Sequence, residues 1–152
     1  MVDQIVQIHR VTRIIAATRF PFVDQENWGD GYQTIVNDEQ NRFGIKWKNG
    51  IIYPSIVILN KDGGVQELGM VEPAWQVNQM NIVKWRMLSD SAERGVKYKK
   101  FFLYVPHEYE EKALELLEEN DIDYDGLRGY GIVDGSLKIY PHKTRNDAYD
   151  HR

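Results

Sequence analysis

The stretch 43–72 limits the possible folds more than any other, because three short apolar runs are separated there by two turns too tight for anything but antiparallel neighbours. Residues 43–48 are followed by Asn49-Gly50, a pair suited to the positive φ angles of a type I′ turn, so 51–59 is expected to return alongside as a second strand. That strand is apolar at successive rather than alternate positions, the pattern of a strand covered on both faces. Asn60-Lys61-Asp62-Gly63-Gly64 then turns the chain into 65–72, which completes a three-strand meander, and 33–37 is placed to extend the sheet.

The pattern changes on either side. Ile5, Ile8, Thr12 and Ile15 recur at helical spacing over 3–17, with Asp3 as the expected N-cap, and Pro21, Gly29 and Gly31 mark 20–31 as turn material. After the meander, Pro73 suits the start of a helix expected over 74–91, with Val77, Met80, Lys84, Trp85 and Leu88 along one stripe. Phe101-Phe102-Leu103-Tyr104-Val105 reads as a buried strand closed by Pro106. A helix is expected over 107–119, apolar at Tyr109, Ala113, Leu116 and Leu117, with Glu108, Glu110 and Glu111 favoured in its first turn by the helix dipole. Strands at 127–133 and 137–140 flank Asp134-Gly135. The expected fold class is α/β, a mixed sheet flanked by helices, in one domain over 1–140 with a polar tail over 141–152.

Composition narrows the chemistry. With 152 residues, 42% of them hydrophobic, the chain can bury its own core, and the absence of cysteine removes disulfides, thiolate metal sites and cysteine nucleophiles. An acidic start at Met1-Val2-Asp3 and the lack of a long apolar run lead to the expectation of a cytoplasmic protein with no membrane partner. The net charge of −4 conceals an asymmetry: six basic residues against two acidic ones over 84–100, then nine acidic against one basic over 107–125. His9, His107, His142 and His151 lie in unrelated segments without zinc-ligand spacing, and no glycine-rich phosphate loop or Gly-x-Ser-x-Gly elbow is present.

A helix, a meander, a crossover helix and a further strand form an αβββαβ order. Tyr53-Pro54-Ser55-Ile56-Val57-Ile58 followed, after a Gly-Gly turn, by Glu67-Leu68-Gly69-Met70-Val71-Glu72 resembles the strand pair of the PD-(D/E)xK, or restriction-endonuclease-like, nucleases. Lys84-Trp85 and the Phe-Leu-Tyr-Val-Pro strand are similar to that family as well, and the likeness spans about 1–133. In this family one strand carries Pro-Asp and the next an acid, any residue, then Lys or Glu; the acids hold Mg²⁺, a hard cation that orients water against a phosphodiester. Carried over by position, the acids fall on Ser55 and Met70, so Glu72 alone matches the pattern as a catalytic or metal-binding residue.

Each position also has a plainer explanation. Glu72 is an acid before an expected helix, Ser55 a small strand residue, and Met70 an apolar filler. By alternation Met70 and Glu72 share one strand face and Glu67 takes the other. Lys46 and Lys48, alternating with Arg42 on one strand face, together with Lys84 and Arg86, are the candidate phosphate contacts; lysines also guard sheet edges, and Trp85 suits the core better than stacking. The resemblance, with two acids missing, implies a nuclease-fold protein that no longer cuts and binds nucleic acid, DNA or RNA, or a protein partner. The alternatives are a Mg²⁺-dependent nuclease whose acids have moved to Asp30, Glu39 or Glu67, and a scaffold that serves as a homodimer, a higher homo-oligomer or an interaction subunit.

Overall fold

The computed structural model describes residues 2–20, 31–48, 50–93 and 100–145. The described elements are helix α1 (Val2–Arg19), strands β1 (Gln33–Val36), β2 (Ile45–Trp47), β3 (Gly50–Ile52), β4 (Ile56–Leu59) and β5 (Val65–Val71), helix α2 (Ile82–Glu93), strand β6 (Lys100–Pro106), helix α3 (Glu110–Glu119), and strands β7 (Gly126–Val133) and β8 (Ser136–Thr144). Six strands form a mixed sheet in the order β1-β4-β5-β6-β7-β8, and β2 pairs only with β3. The fold is therefore α/β, with β5, β6 and β7 parallel and the outer pairs antiparallel.

Alternation on β6 divides the core. Phe101, Leu103 and Val105 face the layer of α2 and α3, while Phe102 and Tyr104 face α1, and all five are at most 1% exposed. A strand apolar at every position can sit only where both sheet faces are covered. Each large side chain so buried stabilises the fold by roughly 1.5–3 kcal/mol relative to exposure. On α1 the buried stripe is Val11, Ile15 and Ala16, with Thr12 beside it; Ile8 is partly buried. Asp3, expected as the N-cap, lies within the helix, and most of the expected turn before Gly31 lies outside the described residues.

The meander differs from the expected one. The first strand of the main sheet is β1, inside the expected 33–37 extension, while 45–52 forms a separate hairpin inserted before β4. Pro54 causes the break, since it has no N–H to donate to a ladder. Asn37 secures the crossing: its amide donates to the carbonyls of Phe43 (2.7 Å) and Pro54 (2.6 Å), its Oδ1 accepts the N–H groups of Arg42 and Phe43, and its own N–H reaches the Ser55 carbonyl. The hairpin register pairs Trp47 with Gly50, one residue earlier than an Asn49-Gly50 turn requires, and Asn49 itself lies outside the described residues.

Further corrections have local causes. The helix expected over 74–91 begins as 3-10 turns at Ala74–Gln76 and Gln79–Asn81, leaving Met80 89% exposed. Asn78 accepts the Met80 N–H and donates to the Trp75 carbonyl, so side-chain bonds outcompete the α-helical pattern. Helix α3 starts at Glu110 rather than 107, because Glu108 adopts φ +83, and Tyr109 is exposed. Asp134 and Gly135, at φ +51 and +81, make the expected tight turn, but β8 continues past Tyr140 to Thr144, so the boundary expected at 140 falls inside a strand. Among the described residues no helix is long and apolar enough to cross a membrane.

Candidate functional site

The carboxyl end of β5 gathers Ser55, Met70 and Glu72, three of the residues singled out by the sequence. Glu72 directly follows β5, is 1% exposed, and is tied by its backbone to both neighbours: its N–H donates to the Tyr104 carbonyl (2.8 Å) and its carbonyl accepts the Tyr130 hydroxyl (2.7 Å). Its carboxylate is clasped from α2, where Lys84 Nζ lies 2.8 Å and Trp85 Nε1 2.7 Å from the same oxygen, Oε2. Both donors come from the first turn of α2, with Trp85 wholly buried and the Lys84 side chain 23% exposed. Burial, and secondarily the charge of Glu72, push the Tyr130 hydroxyl well above the usual phenol range, so it stays a donor. Helix α2 begins ten residues beyond Glu72, so the helix dipole does not explain this acid; Lys84 does.

Ser55 and Met70 do come together. Ser55 Oγ accepts the Val71 N–H at 2.8 Å and lies 3.6 Å from Met70 Sδ. The β4–β5 ladder ends at Ile56 and Gly69, and the serine hydroxyl carries the pairing one step further. The expected alternation holds on β5: Leu68 and Met70 pack toward α2, Val71 toward α1. These residues do not fit a magnesium ion. Hydroxyl and thioether supply no anionic oxygen, and the one carboxylate already shares an oxygen with an ammonium and an indole N–H. Glu39, exposed, pairs with Arg13 of α1 at 2.7 Å, Glu67 is buried on the odd-numbered face of β5 with Val71, and Asp30 lies outside the described residues. Among the described residues no three His, Asp or Glu side chains are grouped to hold a metal ion.

The expected basic contacts separate. Lys84 is bound to Glu72, Arg86 donates to the Asn120 carbonyl (2.7 Å), and Arg42 is engaged by Asp38 and by the Val36 carbonyl. Lys46 and Lys48 stand exposed on the β2–β3 hairpin, and among the described residues neither joins an ion pair. Arg94, Lys97 and Lys99 of the basic run lie outside the described residues.

One cluster was not singled out. Glu110, 6% exposed at the start of α3, lies 2.7 Å from His107 Nδ1, and the His107 ring stacks on Tyr140 at 3.7 Å. Gly129 beneath makes this possible, since a methyl group there would overlap the Glu110 carboxylate. Burial alone would raise the Glu110 carboxyl, but hydrogen bonds from His107 and from the N–H groups of Glu110 and Glu108 outweigh it and hold the group below its usual range. His107 and Glu110 are three apart, but Tyr140 and Gly129 are distant in sequence, which is why spacing did not disclose the cluster. Comparison of the chain with protein families, with curated proteins and with solved structures finds no match.

Proposed function

We propose that this chain is a nuclease-like domain that has exchanged a metal site for an internal ion pair and acts by binding nucleic acid. The fold supports the restriction-endonuclease-like part of this reading: α1, the β1-β4-β5 meander, α2 and β6 follow the αβββαβ order, with a hairpin inserted before the second strand. Ser55, Met70 and Glu72 meet at one end of the sheet, where the resemblance puts the catalytic strand pair.

The observation that carries the reading is the distribution of cations. Lys84 is consumed inside by Glu72, which removes the last carboxylate from metal binding, while Lys46 and Lys48 remain outside on a ribbon rooted at the Pro54-Ser55 corner. A two-stranded ribbon can lie along a nucleic-acid groove, and each lysine that neutralises a phosphate adds salt dependence.

Fluorescence anisotropy on labelled single-stranded and duplex DNA and RNA, across a salt series, tests this. Binding is expected to weaken with salt, and replacing Lys46 and Lys48 by Ser is expected to reduce the slope of log K against log salt by about 1 per lysine. Absent or salt-independent binding contradicts the proposal.

A further inference from the structure

The proposed function uses the α2 side of the strand ends and leaves a cavity of about 340 Å³ on the α1 side, within the usual range for ligand pockets. It lies beyond the carboxyl ends of β5, β6 and β7, where open α/β sheets place their ligands. Trp75, 41% exposed, forms one wall; Pro73 and Pro106 flank it; Ile8 and Val11 of α1 face it; Tyr130 links it to Glu72 through the 2.7 Å bond to the Glu72 carbonyl.

We infer that this cavity receives one uncharged planar ring with a hydrogen-bonding edge, a nucleobase, stacked on Trp75. Among the described residues no Asp, Glu, Lys, Arg or His lines it, so a charged group placed there would be desolvated without a partner from them. The walls are rings and aliphatic groups, which suit a flat π-face. The exposed Gln7 amide lies at the boundary and offers both a donor and an acceptor, the requirement for reading a base edge rather than a bare phenyl ring. The Tyr130 hydroxyl already donates to the Glu72 carbonyl, so the edge-reading side chain is Gln7. The base can come from a free nucleoside or from an unpaired position in a strand. The second source rests on the nucleic-acid reading above, and the first does not.

Amide and indole NMR on the full chain separates these cases, with adenosine, a mixed-sequence single strand, the same sequence as duplex, and N-acetyltryptophanamide as probes. Adenosine is expected to shift the Trp75 indole signal and the amides of Ile8, Val11 and Ala74 in a saturable way. Trp75→Ala is expected to weaken binding about tenfold, within the range for loss of one base-stacking contact. Trp75 is half exposed and outside the main core, and thermal melting checks that the variant still folds; Gln7→Ala provides a second variant with no packing role, expected to weaken adenosine by a smaller factor. Shifts at the same signals with the single strand, but not the duplex, assign the strand as source. Shifts with adenosine and no strand binding leave the cavity assignment standing while overturning the nucleic-acid reading. Strand binding that follows Lys46 and Lys48 yet never perturbs the Trp75 signal does the reverse. Response to N-acetyltryptophanamide alone, or to none of the probes, overturns the inference.

Discussion

Two buried carboxylates stand near the ends of neighbouring parallel strands and are held in opposite ways. Glu72, after β5, shares Oε2 with a lysine ammonium and an indole N–H. Glu110, after β6, is held by backbone N–H groups and by an imidazole whose side chain is 47% exposed. The first is balanced by one ammonium reaching in from α2, and the second by backbone dipoles together with the imidazole of His107. Burial alone therefore does not define a functional acid: it is met by a single ammonium at Glu72 and by several dipoles and an imidazole at Glu110.

Lys84 is the residue whose loss disturbs these two sites most. Lys84→Met leaves the Glu72 carboxylate buried without its cation and is expected to cost about 3–5 kcal/mol in urea unfolding, with partial recovery in the Lys84→Met, Glu72→Gln double variant. A loss below 1 kcal/mol would mean that the clasp is not intact in solution. Trp85→Phe keeps the ring in the core and removes one hydrogen bond to a charged group, for an expected loss of roughly 1.5–3 kcal/mol in the same measurement.

Ser55→Ala removes the partner of the Val71 N–H and should cost about 1–3 kcal/mol; hydrogen exchange at Val71 should accelerate with it. Glu110 makes the stability depend on pH. Its folded carboxyl lies below the unfolded value of about 4.3, so its contribution is fully present above that pH and is lost as pH falls through the lower folded value. Glu110→Gln is expected to flatten that part of the stability profile, seen as a smaller fall in melting temperature on acidification. An unchanged profile would show that the carboxyl is not held as described.

Much of the fold was legible because local signals agreed. The run from Phe101 to Val105 announced a buried strand, and Asp134-Gly135 announced a turn. The meander was misassigned because the apolar run over 51–59 hides the break at Pro54, and only the Asn37 clamp shows where the chain leaves one sheet for another. The 3-10 turns before α2 depend on Asn78 and Asn81 bonding locally, a competition that periodicity does not reveal. At the site, the meeting of Ser55 and Met70 and the shared face of Met70 and Glu72 followed from the strand frame. The partnership of Glu72 with Lys84 did not, because it spans two elements and depends on how α2 lies across β5.

The most direct test of the central claim is a titration of Mn²⁺ into the unaltered protein, following paramagnetic broadening of the Trp85 indole signal beside Glu72, with a parallel Mg²⁺-dependent cleavage assay. An internal ion pair in place of a metal site predicts no saturable broadening at Trp85 and no cleavage. Saturable broadening centred there, accompanied by cut strands, would contradict it.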